Sequence, residues 1–227
     1  MNAAEFLAGR PRPIVKICGL REPAHAAAAA AAGADLIGFI FAPSRRQVTA
    51  TQAGACIAAA RESGQTPRAV GVFVDAALDE IAAAVETAGL DFVQLHGAET
   101  ADMLARIGAP VIRSLRPRPG TTPAAVAREL AFWADGPTAP AAFLIDGYSE
   151  GGAGGMGVRA DWTLARALAK RWPILLAGGL DPDNVGDAIA AATPLGVDVS
   201  SGVESGGRKD PARIAAFVAA ARRATTT

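Results

Sequence analysis

Two side chains, far apart in the chain, are of the types that proton transfer needs. Cys18 ends the β-branched run Ile14-Val15-Lys16-Ile17-Cys18, and Asp146 ends the apolar run Ala142-Phe143-Leu144-Ile145-Asp146. A glycine follows each, Gly19 and Gly147, and opens a turn. A thiolate can remove a proton, and a carboxyl that is partly desolvated keeps its proton long enough to act as a general acid. Side chains alternate along a strand, so Lys16 shares a face with Cys18, and its ammonium is expected to lower the thiol pKa. Taken singly, Cys18 also fits a buried structural thiol and Asp146 a loop cap.

Other residues suit the recognition of an anion. Gly178 and Gly179 in Leu176-Ala177-Gly178-Gly179-Leu180, and Ser200, Ser201 and Gly202 in Val199-Ser200-Ser201-Gly202-Val203, form two turns at consecutive strand ends. Backbone N–H groups and hydroxyls in such turns make an uncharged cradle for phosphate. Arg46 and Arg113 can each clamp an anionic group through the guanidinium fork. Gln94 and His96 share one face of their run and are expected to line the pocket with Lys16. Six glycines fall within residues 147–157, including Gly154 and Gly155. That stretch reads as a loop that approaches a ligand closely, as a lid, or else as a flexible insertion. The histidines and cysteines have no metal-ligand spacing, so no metal is expected.

These residues need a scaffold that gathers strand ends. Short apolar runs at 14–19, 36–41, 69–74, 92–96, 111–115, 142–146, 174–178 and 196–200 alternate with helical patterns at 23–32, 50–62, 78–88, 100–107, 123–134, 161–171, 184–192 and 211–223. Eight strand–helix units match a (β/α)8 TIM barrel, whose chemistry sits at the C-terminal ends of the strands. Helix punctuation agrees: Gly33 and Gly89 close helices, and Asp210-Pro211 opens one. An open doubly wound sheet would show the same alternation, but a Gly-x-Gly-x-x-Gly turn is missing after the first run. The expectation is a single domain over 1–227, with residues 1–12 and 224–227 as flexible ends.

The 22 basic and 22 acidic side chains cancel, which argues against nucleic acid or an anionic membrane as a general partner. Two cysteines make no disulfide framework and fit a reducing cytosol, Cys56 reading as a small buried apolar residue of a helix. The first residues lack the pattern of a secretion signal, and the run from Ala26 to Ala32 is too short to span a bilayer. A cytoplasmic enzyme with a small phosphorylated substrate is the reading, as a monomer or a homodimer.

Several motifs, taken in order, resemble the phosphoribosylanthranilate isomerase family. They are Lys16-Ile17-Cys18-Gly19-Leu20, Val93-Gln94-Leu95-His96-Gly97, Leu144-Ile145-Asp146, Gly154-Gly155-Met156-Gly157, Leu176-Ala177-Gly178-Gly179-Leu180 and Asp198-Val199-Ser200-Ser201-Gly202-Val203-Glu204. The resemblance implies a ribulose-phosphate-binding barrel and a cofactor-free Amadori rearrangement in tryptophan biosynthesis. It implies Asp146 as general acid, Cys18 as general base, Arg46 as the ligand of the anthranilate carboxylate, and the two glycine turns as the phosphate site. The loop before Arg46 is one residue shorter than the family pattern, which leaves Arg45 as its alternative. A related phosphate-binding isomerase of histidine biosynthesis is the rival reading; it would be expected to carry an aspartate at the position of Cys18.

Overall fold

The computed structural model describes residues 6–7, 13–148 and 159–224. Eight parallel strands close into a barrel, each paired with the next and the last with the first. In chain order they are β1 (Ile14–Cys18), β2 (Leu36–Ile40), β3 (Arg68–Phe73), β4 (Phe92–Leu95), β5 (Val111–Leu115), β6 (Ala142–Ile145), β7 (Ile174–Leu176) and β8 (Gly196–Val199). The helices that follow them are α1 (Pro23–Ala31), α2 (Ala50–Glu62), α3 (Leu78–Ala88), α4 (Ala101–Leu104), α5 (Pro123–Ala134), α6 (Trp162–Ala169), α7 (Val185–Ala192) and α8 (Pro211–Arg223). A short antiparallel pair, β9 (Glu204–Ser205) with β10 (Arg208–Lys209), lies between β8 and α8.

Local chemistry sets the helix ends. Thr49 and Gln52 cap α2 reciprocally, side chain to backbone in both directions. Asp210 accepts from the N–H groups of Ala212 and Arg213, with Pro211 in the first turn. Gly89 ends α3 at φ +71°, the left-handed conformation that glycine adopts without a Cβ penalty. One helix is shorter than its pattern over 100–107. Past Leu104 the chain turns through the i→i−3 bonds Arg106 N–H to Met103 O and Ile107 N–H to Leu104 O, then meets Pro110. Such tight turns and a proline end an α-helix.

Strand parity divides the core in two. Val15, Ile17, Ile37, Phe39, Val93, Leu95, Phe143 and Ile145 pack outward against the helices. Ile14, Leu36, Val70, Phe92, Ile112, Ala142, Leu144 and Leu175 fill the lower barrel interior. Phe6 and Leu7, within the stretch expected to be a loose end, are buried in that inner cluster, and Phe6 lies 6.3 Å from Phe92 ring to ring. Higher up, the inward positions change character to Lys16, Gln94, Ser114 and Asp198, all buried. A polar layer over an apolar floor is what a barrel with its site at one mouth requires.

Candidate active site

A hollow of about 570 Å³ opens at the C-terminal mouth of the barrel, lined by Cys18, Arg46, Gln94, His96, Asp146, Asp198 and Ser200 among others. The parity that put Lys16 and Cys18 on one face holds, but Lys16 is completely buried and lies behind the wall of the hollow that Cys18 lines, so it does not line the pocket itself. A β-carbon at Gly38 would stand 2.8 Å from the Cys18 Sγ and 3.1 Å from the Lys16 Nζ. Thiol and ammonium therefore share the space above the bare backbone of β2. Lys16 Nζ also lies 3.0 Å from Asp198 Oδ1, its register partner on β8.

The expected drop in the Cys18 pKa is not realised. Burial pushes the thiol above its ordinary 9.0, and the nearby Lys16 ammonium recovers only part of that cost. Lys16 itself is raised: its own burial disfavours the ammonium, but the Asp198 carboxylate and Cys18 outweigh it. Asp146 behaves as expected of an acid. Burial and the Asp198 charge push it up from 3.8 to about 6, against the hydrogen bond from Gly147 N–H and the charges of Arg116 and Lys16.

His96 is held down to about 3, chiefly by burial and then by Arg116, Lys16 and Arg113, so its ring is neutral at physiological pH. Gln94 Nε2 lies 3.3 Å from His96 Nδ1 and 3.0 Å from Ser114 Oγ. With the amide oriented this way it donates to Nδ1, which leaves the ring proton on Nε2. His96 Nε2 sits 3.7 Å from Asp146 Oδ2, too far for a hydrogen bond, and a neutral ring makes no ion pair. That buried Nε2 has no hydrogen-bond partner among the described residues.

Arg46 lines the hollow and is 5% exposed, whereas the Arg45 side chain is 57% exposed and outside it. Arg46 is held by a fork: Nε to Glu204 Oε1 at 2.6 Å and Nη2 to Glu204 Oε2 at 3.0 Å. Burial raises Glu204, but the Arg46 hydrogen bonds and the Lys209 ammonium win and hold the carboxyl at about 2. Lys209 also donates to the Ser200 carbonyl oxygen at 2.7 Å. The cluster ties the loop after β2 to the turn after β8.

The two glycine turns come together as the spacing requires. Gly178 and Gly179 both have positive φ, +85° and +65°, and a β-carbon on Gly202 would overlap the Leu180 carbonyl oxygen. Ser200 reaches the hollow, and Ser201 begins a 3₁₀ turn through Val203.

Arg113 corrects the sequence reading. It sits at an outward position of β5, in register with Leu95 and Phe143, which both pack against helices. Its Nη1 pairs with Glu99 at 2.7 Å, its Nη2 donates to the Gly97 carbonyl at 2.8 Å, and its guanidinium lies over the Trp133 ring. It braces the loop after β4 and does not line the pocket. Gly154 and Gly155 lie outside the described residues. Asp198 and Glu204 fall in a motif named above but have no role assigned there, and Lys209 carries no sequence signal; inward parity opposite Lys16 marks Asp198. Among the described residues no cluster could hold a metal ion, and no helix is long and apolar enough to cross a membrane.

Comparison with known proteins agrees with this geometry. The family model described as N-(5'-phosphoribosyl)anthranilate (PRA) isomerase matches residues 15–220. A curated N-(5'-phosphoribosyl)anthranilate isomerase of Symbiobacterium thermophilum is 48% identical over 92% of this chain and 97% of its own. The crystal structure of the Thermotoga maritima phosphoribosyl anthranilate isomerase superposes with a TM-score of 0.80 at 32% identity, over 93% of this chain and 99% of that one. Another structure of such an isomerase, in complex with reduced 1-(o-carboxyphenylamino)-1-deoxyribulose 5-phosphate, superposes with a TM-score of 0.76 at 30% identity, over 93% of this chain and 99% of that one. With the match spanning nearly every strand and helix that builds the mouth, the chain belongs to the N-(5'-phosphoribosyl)anthranilate isomerase family.

Proposed function

We propose that this chain converts N-(5-phosphoribosyl)anthranilate to 1-(2-carboxyphenylamino)-1-deoxyribulose 5-phosphate, a step of L-tryptophan biosynthesis, with Asp146 as acid and Cys18 as base. The observation that carries the residue roles is their placement in one hollow with raised pKa values of opposite use: a carboxyl near 6 that can deliver a proton, and a thiol beside an ammonium. Asp146 protonates the furanose ring oxygen; the C1–O bond breaks and the anilino nitrogen lone pair forms the C1=N iminium. Cys18 thiolate then takes the C2 proton, and that C–H pair becomes the C1=C2 bond while nitrogen regains its lone pair. The enol-amine tautomerises to the C2 ketone, with C1 taking up a proton and the C2 hydroxyl releasing one.

At neutral pH the resting pair is an Asp146 carboxylate and a Cys18 thiol, since the acid titrates near 6 and the thiol above 9.0. The reactive arrangement carries the same number of protons, moved from sulfur to carboxyl. Its population is constant between the two pKa values, so the rate should be level over that range and fall on either side. Lys16 favours the arrangement by stabilising sulfur as the anion. Arg46, oriented by Glu204, suits the anthranilate carboxylate. Gly178, Gly179, Ser200, Ser201 and Gly202 suit the phosphate. Neutral His96 offers Nε2–H as a donor to a sugar oxygen.

The histidine-pathway alternative has no support, because the matching family and relatives carry the anthranilate name. Anthranilate fluorescence tests the reading. Adding purified protein to phosphoribosylanthranilate should quench it catalytically, and Asp146→Asn should not. Undiminished fluorescence with the unaltered protein would overturn the assignment.

A further inference from the structure

Asp198 is absent from the roles above, yet it stands between them. It is 8% exposed, on the inner face of β8, and it lines the same hollow as Cys18, His96 and Asp146. Its Oδ1 holds Lys16 Nζ at 3.0 Å across the β1–β8 pairing, and that ammonium shares the space over Gly38 with the Cys18 sulfur. A lysine with no exposed surface has few places to go once its carboxylate partner is fixed.

Resting on the acid–base reading above, we propose that Asp198 is the positioning residue for both proton transfers. It pins Lys16 beside the thiol, and its own charge sets how tightly Cys18 and Asp146 hold their protons. The two effects on Cys18 oppose each other: Lys16, held in place, favours the thiolate, while the Asp198 carboxylate disfavours a second anion beside it. On Asp146 the carboxylate acts one way only, keeping the proton on the acid. The direct effect of this one buried charge is to raise the proton affinity of the base and of the acid together, while its hold on Lys16 works the other way at the base.

The other charged and titratable groups around the three are fixed by the fold. Lys16 is on β1 with Cys18; Arg116 follows β5 and acts on both His96 and Asp146; His96 follows β4; Lys209, on β10, acts on Cys18. Arg46 and Glu204 are paired with one another at the rim. Asp198 is the anion of this set that acts on both proton carriers.

The test is alkylation of Cys18 by iodoacetamide as a function of pH, in a Cys56→Ala background so that one thiol is followed. Cys56 is buried on α2, away from the hollow. Asp198→Asn keeps an amide oxygen for Lys16 and removes the charge. Alkylation at pH 7.5 should quicken by roughly tenfold, one pH unit of thiol acidity. Lys16→Gln removes the ammonium and leaves the carboxylate, so alkylation should slow. In Asp198→Asn both limbs of the kcat/KM profile should move to lower pH together. A residue that only props up the fold would move the two variants in the same direction, or would reduce amplitude without moving either limb. Either result overturns the proposal. Should Asp198→Asn fail to fold, Asp198→Ser, which also removes the charge, takes its place with the same expected direction. If Cys18→Ala kept full turnover, the acid–base reading would fail instead, so the two failures are distinguishable.

Discussion

Replacing the catalytic acid should make this barrel more stable, and by an amount that depends on pH. Asp146 titrates near 3.8 as an ordinary aspartate and at about 6 in the folded chain, where burial and Asp198 oppose its charge. Below pH 3.8 it is protonated in both states and costs nothing. As pH rises from there toward 6, the unfolded chain gives up the proton first, and folding stability declines. Above 6 the native carboxylate carries the full penalty. At 1.36 kcal/mol per pH unit, the gap corresponds to about 3 kcal/mol. Asp146→Asn has nearly the same shape, keeps an oxygen for the Gly147 N–H, and never ionises. Urea unfolding of both proteins between pH 4.5 and 8.5 should therefore show the variant gaining on the unaltered protein, to a plateau of about 3 kcal/mol above pH 7. In a chain of this size that is about 6–12 °C in Tm. A stability difference that stays flat with pH, or a variant less stable at pH 8, would refute the claim that the fold strains this carboxyl.

Three further substitutions probe the geometry. Gly38→Ala places a β-carbon 2.8 Å from the Cys18 Sγ; pushing the thiol aside should lower kcat by roughly a hundredfold, with KM changed far less and the circular dichroism spectrum unchanged. Arg46→Lys keeps the charge but not the fork that Glu204 orients, and KM for phosphoribosylanthranilate should rise by about tenfold in steady-state assays. Gly202→Ala drives a β-carbon into the Leu180 carbonyl and parts the two glycine turns. Inorganic phosphate should then lose most of its strength as a competitive inhibitor, whereas an unchanged inhibition constant would remove those turns from the phosphate site.

Much of this was legible in the chain because it depends on local rules. The strand runs, the glycine at the end of α3 and the Asp210-Pro211 start of α8 follow from backbone preferences that act over a few residues. Parity alone placed Lys16 with Cys18. Applied to β5 as well, it would have turned Arg113 outward, in line with Leu95 and Phe143. What the chain could not reveal is depth. The balance at Cys18 turns on how completely the thiol is desolvated, and that is set by eight strands and their helices together. Glu204 and Lys209 bracket a short hairpin and pair with each other, and Glu204 reaches Arg46 from more than 150 positions away, a contact no local pattern signals.

The central claim is that the Cys18 sulfur removes the C2 proton. Its most direct test is the decay of phosphoribosylanthranilate fluorescence in a single turnover with enzyme in excess, for the unaltered protein and Cys18→Ala. Affinity for the reduced product analogue should be measured in the same two proteins. Loss of the base should slow the decay by roughly 10²–10⁴-fold while the affinity changes only a few-fold. A Cys18→Ala protein whose decay stays near the original rate would contradict the account, and the proton would have to leave by way of another group.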